Sequence, residues 1–168
     1  MTASTPNEAW WRHQAKFILF DSCFWIGLIE NESKDYKDFI DTYIDRTFLI
    51  PYPSFAEFLN DIPLRNELKF KTLREVFLNQ AIEKIYYKHN LKEDESISIL
   101  NEYFSSSSKA ARGSVPNFVD IIIGKIIEEM RTPFAFVTKN SGDFAKYINS
   151  NRALCHVVDF GKKQVTRW

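Results

Sequence analysis

Glycine is scarce in this chain. There are five in 168 residues, and none builds a phosphate-cradling loop. P-loop and dinucleotide-binding readings therefore have no support. Cysteine is scarcer still: Cys23 and Cys155 lie far apart, form no Cys-x-x-Cys pair, and each stands in an apolar context. That usage fits buried free thiols and offers no disulfide framework. The three histidines, His13, His89 and His156, show no ligand spacing, which argues against zinc. Charge of one sign is also missing, because 22 basic residues balance 22 acidic ones. A globally basic nucleic-acid binder is excluded, while a local basic face is not. No apolar run approaches the ~20 residues that cross a bilayer. Met1 to Glu8 lacks the basic and apolar regions of a secretory signal. The expectation is a cytoplasmic protein with no membrane segment.

What is present is apolar and aromatic. Hydrophobic residues make up 45% of the chain and Phe alone occurs fifteen times. Such a chain can bury a sizeable core in one domain. We expect a single domain over 1–168, with residues 1–15 as an N-terminal extension carrying Trp10-Trp11 and residues 105–116 as a flexible, Ser-rich loop.

The pattern along the chain alternates strand and helix. Phe17 to Phe20 is a four-residue apolar run that suits a strand buried on both faces. Asp21 ends it, and a helix is expected over 22–29. Tyr36, Phe39, Ile40, Tyr43 and Ile44 predict an amphipathic helix over 34–45. Its acids, Asp35, Asp38, Asp41 and Asp45, read as a solvated face. Thr47 to Ile50 is a second strand, and a third helix is expected from Ser54, followed by one over 65–79. Ala81 to Tyr87 is a further strand, and helix 95–104 follows. The most apolar helix starts at Asn117 and runs toward Met130, so it should be central. Phe134 to Thr138 is the fourth strand, a turn and short helix follow, and 153–158 is the last strand. Strands alternating with helices predict an α/β layer fold with a mainly parallel sheet. Right-handed crossovers then bring most strand ends to one edge.

Four acids stand out by position: Asp21, Glu57, Asp120 and Asp143. Asp21 ends an apolar strand directly, Asp143 follows one in the turn after Thr138, and Glu57 and Asp120 fall in the first turns of helices. Each has a plain structural explanation, because acids are favoured at helix N-termini by roughly 0.3–1 kcal/mol. Asp21 suits an N-cap, and Ser54-x-x-Glu57 spells a capping box. The four together suggest something else. In an α/β fold, helix N-termini and strand C-termini share one edge, where ligands bind. Converging carboxylates repel unless a cation neutralises them, and hard oxygen-preferring ions such as Mg²⁺ or Mn²⁺ are natural partners.

The order of these motifs resembles the PIN-domain ribonucleases, of which VapC-type toxins are the most familiar. Phe20-Asp21-Ser22, Glu57 within Pro-Ser-Phe-Ala-Glu-Phe-Leu, Val119-Asp120-Ile121, and Thr138-Lys-Asn140-Ser-Gly-Asp143-Phe144 carry the likeness over about residues 16–160. The resemblance implies a three-layer α/β/α sandwich and a divalent-metal-dependent endoribonuclease, with Asp21, Glu57, Asp120 and Asp143 as metal-binding acids. It implies Thr138 and Asn140 as supporting polar residues, and Asn140 stands where many members carry an acid. A toxin of a bacterial toxin–antitoxin system, with RNA as substrate and a protein antitoxin as partner, is the functional expectation. The products would carry a 3′-hydroxyl and a 5′-phosphate.

Other residues near these motifs have both a functional and a structural explanation. Ser22 would orient Asp21 or cap the helix. Lys139 would hold a phosphate or be an ordinary solvated lysine, as would Lys109 and Arg112 in the Ser-rich loop. Asp159 reads as a structural cap and His156 as a packed strand residue. Trp10, Trp11 and Trp168 would either cover the domain's own surface or serve a homodimer or inhibitor. Two rival functions stand beside the nuclease reading: a catalytically inactive PIN-like module that binds RNA or protein, and a phosphatase or flap-type nuclease acting on DNA.

Overall fold

The computed structural model describes residues 14–31, 34–51, 53–54, 56–57, 84–87, 97–98, 101 and 118–161. Among the described residues, five strands form one sheet: β1 (Phe17–Phe20), β2 (Thr47–Pro51), β3 (Lys84–Tyr87), β4 (Phe134–Thr138) and β5 (Cys155–Asp159). Their spatial order is β3-β2-β1-β4-β5, and every neighbouring pair is parallel. The chain winds outward from β1 in one direction, through β2 to β3. It then returns to the other side of β1 and continues outward through β4 to β5. The crevice between the carboxyl ends of β1 and β4 is therefore the topological switch point, the place where doubly wound sheets bind ligands.

Two layers of helix cover the sheet. On one face lie α1 (Ser22–Asn31) and α2 (Lys34–Thr42). On the other lie α3 (Phe118–Glu129) and α4 (Ala145–Ser150). The strands divide their side chains between these layers by simple alternation. Ile18, Phe20, Phe48, Ile50, Ala135 and Val137 join the α1–α2 core, while Leu19, Leu49, Phe134 and Phe136 join the α3–α4 core. The expected α/β/α sandwich with a parallel sheet is the observed architecture. The consecutive apolar residues of β1 and β4 follow from it, because both faces of each strand are buried.

Aromatic residues do much of the packing. Phe20 is fully buried, with its ring centroid 4.8 Å from those of Phe24 and Trp25 and 4.9 Å from that of Phe48. Gly124 lets α4 come close to α3, since a methyl group there would strike the Tyr147 ring. The α3 C-terminus is closed from outside the helix: the Asn151 side-chain amide donates to the Ile127 carbonyl at 2.6 Å and to the Met130 carbonyl at 3.0 Å. These are two of the carbonyls that a helix end leaves without intrahelical partners.

Element boundaries differ from the sequence expectation in a few places. Helix α1 runs on to Asn31 rather than ending at 29. Helix α2 stops at Thr42, and Tyr43 to Arg46 is a turn closed by the Arg46 amide on the Tyr43 carbonyl at 3.0 Å. The last strand begins at Cys155, because residues 151–154 turn to place the Asn151 cap. Residues 97–98 and 101 are helical, within the expected helix 95–104. The expected helix 65–79, the loop 105–116, Lys109, Arg112, Trp10, Trp11 and Trp168 lie outside the described residues. Ala15, at the end of the expected extension, is buried in the core.

Several buried groups are held in their protonated forms. Burial pushes the Cys155 thiol up to about 12. The Cys23 thiol is raised further by burial, by the charge of Asp21 and by its hydrogen bond to that acid. Burial, then Glu128 and Asp120, raise the Tyr147 hydroxyl. A pKa raised on folding contributes stability that is intact below the unfolded value and is lost as pH rises toward the folded one. With unfolded thiols near 9.0, the thermal midpoint should be flat up to about pH 8 and then fall. Each thiol that ionises only in the unfolded chain costs about 1.4 kcal/mol per pH unit. Thermal unfolding followed by circular dichroism from pH 7 to 10.5 measures this, and a flat midpoint across that range would contradict it.

Candidate active site

The strand register brings the site together. Phe20 pairs with Val137, and the Asp21 amide donates to the Val137 carbonyl at 3.0 Å. One residue further on, Asp21 stands beside Thr138. Both are buried, Asp21 with 6% of its surface exposed and Thr138 with none. A carboxylate so enclosed needs hydrogen-bond donors, and it has them. The Thr138 hydroxyl donates to Asp21 Oδ2 at 2.9 Å, and the Cys23 thiol donates to the same oxygen at 2.9 Å.

The other carboxylate oxygen faces Ser22 and Glu57. The Ser22 hydroxyl donates to Glu57 Oε2 at 2.5 Å and lies 3.3 Å from Asp21 Oδ1. A hydroxyl has one proton. At these distances it serves Glu57, and Asp21 Oδ1 receives at most a weak share. Two acids thus meet across one proton at the switch point.

This arrangement answers two of the structural explanations. As a side-chain N-cap, Asp21 would take an amide of α1; among the described residues its carboxylate instead takes side-chain donors only. The capping box spelled by Ser54 and Glu57 is not formed on the Ser side. Ser54 is fully buried and, among the described residues, its hydroxyl oxygen has no hydrogen-bond partner. Glu57 reaches Ser22, thirty-five residues away in sequence.

Asp143 approaches along the loop after β4. Its carboxylate accepts from the Asn140 side-chain amide at 2.6 Å, and the Asn140 backbone amide donates to Thr138 Oγ1 at 3.1 Å. Thr138 therefore links Asp143 to Asp21 through Asn140. The half-buried Lys139 lies between them, and its backbone amide donates to Cys23 Sγ at 3.1 Å. Asp120 is half-buried in the first turn of α3, on the opposite helical layer from Cys23, and its charge is felt by Tyr147. Among the described residues, no three His, Cys, Asp or Glu side chains converge into a group that could hold a metal ion. The structure therefore joins Thr138, Asp21, Ser22 and Glu57 in one chain of side-chain contacts, links Asp143 to it through Asn140, and sets Asp120 on α3 in the opposite helical layer.

The donor set itself suits a hard cation. Asp21 and Glu57 offer carboxylate oxygens around a single proton, an arrangement that a divalent ion would balance.

Three residues contribute more than their sequence positions suggest. Cys23 was expected only as a buried thiol, yet it contacts Asp21, Thr138 and Lys139. Its place two residues after the first acid was the available signal. Asp159 was expected to cap a helix. Instead its carboxylate accepts the Ser141 amide at 3.0 Å and the Gly161 amide at 2.8 Å, anchoring the loop that carries Asn140 and Asp143. Gly161 completes that anchor by close approach, because a methyl group there would run into the Lys139 carbonyl. Gly161→Ala should therefore displace the loop and cost about 1–3 kcal/mol by overpacking, measured as a drop in the thermal midpoint; an unchanged midpoint would contradict the contact. His156 sits in the first half of β5, opposite Ala135, and so away from the carboxyl edge.

No family model matches this chain, and no curated protein does. Solved structures do. One chain of the VapBC2 structure from Rickettsia felis, bound to a DNA fragment from their promoter, superposes with a TM-score of 0.54. It is 15% identical, and the match covers 85% of this chain and 99% of that one. A chain of DNA-bound VapBC from Salmonella typhimurium gives 0.51 at 18% identity, covering 86% and 98%. The fold is accordingly that of the PIN domains. It is the fold shared with those two chains of VapBC structures.

Proposed function

We propose that this protein is a divalent-metal-dependent endoribonuclease and the toxin of a bacterial toxin–antitoxin pair. The observation that carries the reading is the meeting of Asp21 and Glu57 across the Ser22 hydroxyl at the switch point of a VapC-type sheet. Asp21 and Glu57 would hold Mg²⁺ or Mn²⁺, with Asp120 and Asp143 as the further acids of the site. When bound, the ion supplies Lewis-acid activation of water and neutralises charge on the phosphodiester. The chain's own residues do the rest. Thr138 and Cys23 fix Asp21, Ser22 keeps Glu57 beside it, and Asn140 steers Asp143. Lys139 supplies a cation next to the site for the RNA backbone, where phosphate contacts fix position rather than sequence. The likeness to chains of VapBC complexes supports a protein antitoxin as partner. Among the described residues, no helix is long and apolar enough to cross a membrane.

Cleavage of single-stranded RNA should appear on adding Mn²⁺ and vanish with a chelator. Glu57→Gln should lower it by about a hundredfold, the scale of losing one well-placed electrostatic group. Cleavage that persists in chelator would refute the metal requirement. The lack of a converged three-acid group in the described residues favours a second reading, an inactive module that binds RNA or protein. Calorimetry separates the two, because the inactive module would take up no Mn²⁺.

A further inference from the structure

Resting on the reading that Asp21 holds a divalent ion, the geometry points to Cys23 as a positioning residue that selects which Asp21 oxygen faces the ion. Cys23 is the second residue of α1. Its thiol donates to Asp21 Oδ2 at 2.9 Å, its sulfur accepts the Lys139 amide at 3.1 Å, and it lies 3.6 Å from Thr138 Oγ1. One side chain on the first turn of α1 thus grips both the acid that ends β1 and the loop that leaves β4. The two contacts lie 2 and 116 residues away in sequence.

The consequence follows from counting donors. Oδ2 takes two, from Thr138 and Cys23, so its lone pairs are spent inside the protein. Among the described residues, Oδ1 has only the Ser22 hydroxyl at 3.3 Å, whose proton is directed to Glu57. Oδ1 is therefore the oxygen left for an ion, on the side where Glu57 stands. Without the thiol, Oδ2 keeps one donor and the carboxylate can rotate about its Cβ–Cγ bond. The Lys139 amide also loses its acceptor, which loosens the start of the loop carrying Asn140. A hydroxyl at position 23 could make the same contacts with a shorter reach, so Cys23→Ser should restore most of what Cys23→Ala removes.

The test uses the full chain with Ala and Ser at position 23, each checked for folding by circular dichroism. The first readout is amide hydrogen exchange at Lys139 without metal. It should speed up by about tenfold or more in Cys23→Ala, as expected when a local hydrogen bond opens, and return toward wild type in Cys23→Ser. The second is Mn²⁺ alone, titrated by electron paramagnetic resonance. The dissociation constant should rise by about tenfold in Cys23→Ala and stay within about threefold in Cys23→Ser. In RNA cleavage the same change should lower kcat while leaving KM in place. Unchanged exchange at Lys139, or faster exchange with unchanged Mn²⁺ affinity, would overturn the role. Wild-type protein that binds no Mn²⁺ would instead overturn the metal reading, and with it the ion-facing part of this assignment; Lys139 exchange would then decide the clamp alone.

Discussion

Asp21→Asn should reduce Mn²⁺-dependent RNA cleavage by about a thousandfold or more, because a site that loses several kcal/mol of charge stabilisation loses about tenfold for each 1.36 kcal/mol. The change keeps the shape and removes the charge. It also replaces one acceptor oxygen with an NH₂ group. Turned one way, the NH₂ at the Oδ2 position opposes two donors, Thr138 and Cys23; turned the other way, the NH₂ at Oδ1 faces the Ser22 hydroxyl oxygen, which can accept because its own proton goes to Glu57. The second orientation preserves the buried bonds, so the protein should stay folded while cleavage collapses. Paired measurements of cleavage rate and thermal midpoint test this. Activity within tenfold of wild type in a folded mutant would remove Asp21 from the reacting centre.

Phe20→Ala should cost the fold about 3–5 kcal/mol, the usual range for emptying a large aromatic site in a core. Phe20 is the residue before Asp21, and its ring meets Phe24, Trp25, Phe39 and Phe48. Those neighbours come from α1, α2 and β2, so no single element can move in to fill the space. In a chain of this size the thermal midpoint should fall by on the order of 10 °C. Activity should fall as well, because the same ring fixes the backbone from which Asp21 projects. A loss of less than about 1 kcal/mol would mean that the cluster repacks freely, against the close packing expected of a protein interior.

The candidate site was legible in the sequence as residue types and order, but not as contacts. Phe17 to Phe20 ending on Asp21, and Phe134 to Thr138 leading to Asp143, read as buried strands because their apolar runs are local and uninterrupted. That β1 lies between β2 and β4, with Asp21 beside Thr138, depends on pairing across more than a hundred residues. Ser54-x-x-Glu57 shows the limit sharply. The same four residues spell a capping box and a site acid, and no local feature separates them. The contact with Ser22 does, because Ser54 is left without its cap bond. Cys23 was read as a buried thiol for the same reason: burial follows from neighbouring apolar residues, whereas its bond to the Lys139 amide exists only once α1 and β4 are packed.

By itself, then, the sequence determined the alternation of strand and helix, the double-sided burial of the central strands and the identity of the acids. All of these follow from hydrophobic period and residue chemistry within about ten neighbours. The tertiary structure decided the strand order, the switch point between β1 and β4, the placing of Ser22 between Asp21 and Glu57 with its proton on Glu57, and the choice of Asp159 as loop anchor rather than helix cap. Those features depend on which distant segments come into register, and that is settled only when both faces of the sheet are covered at once.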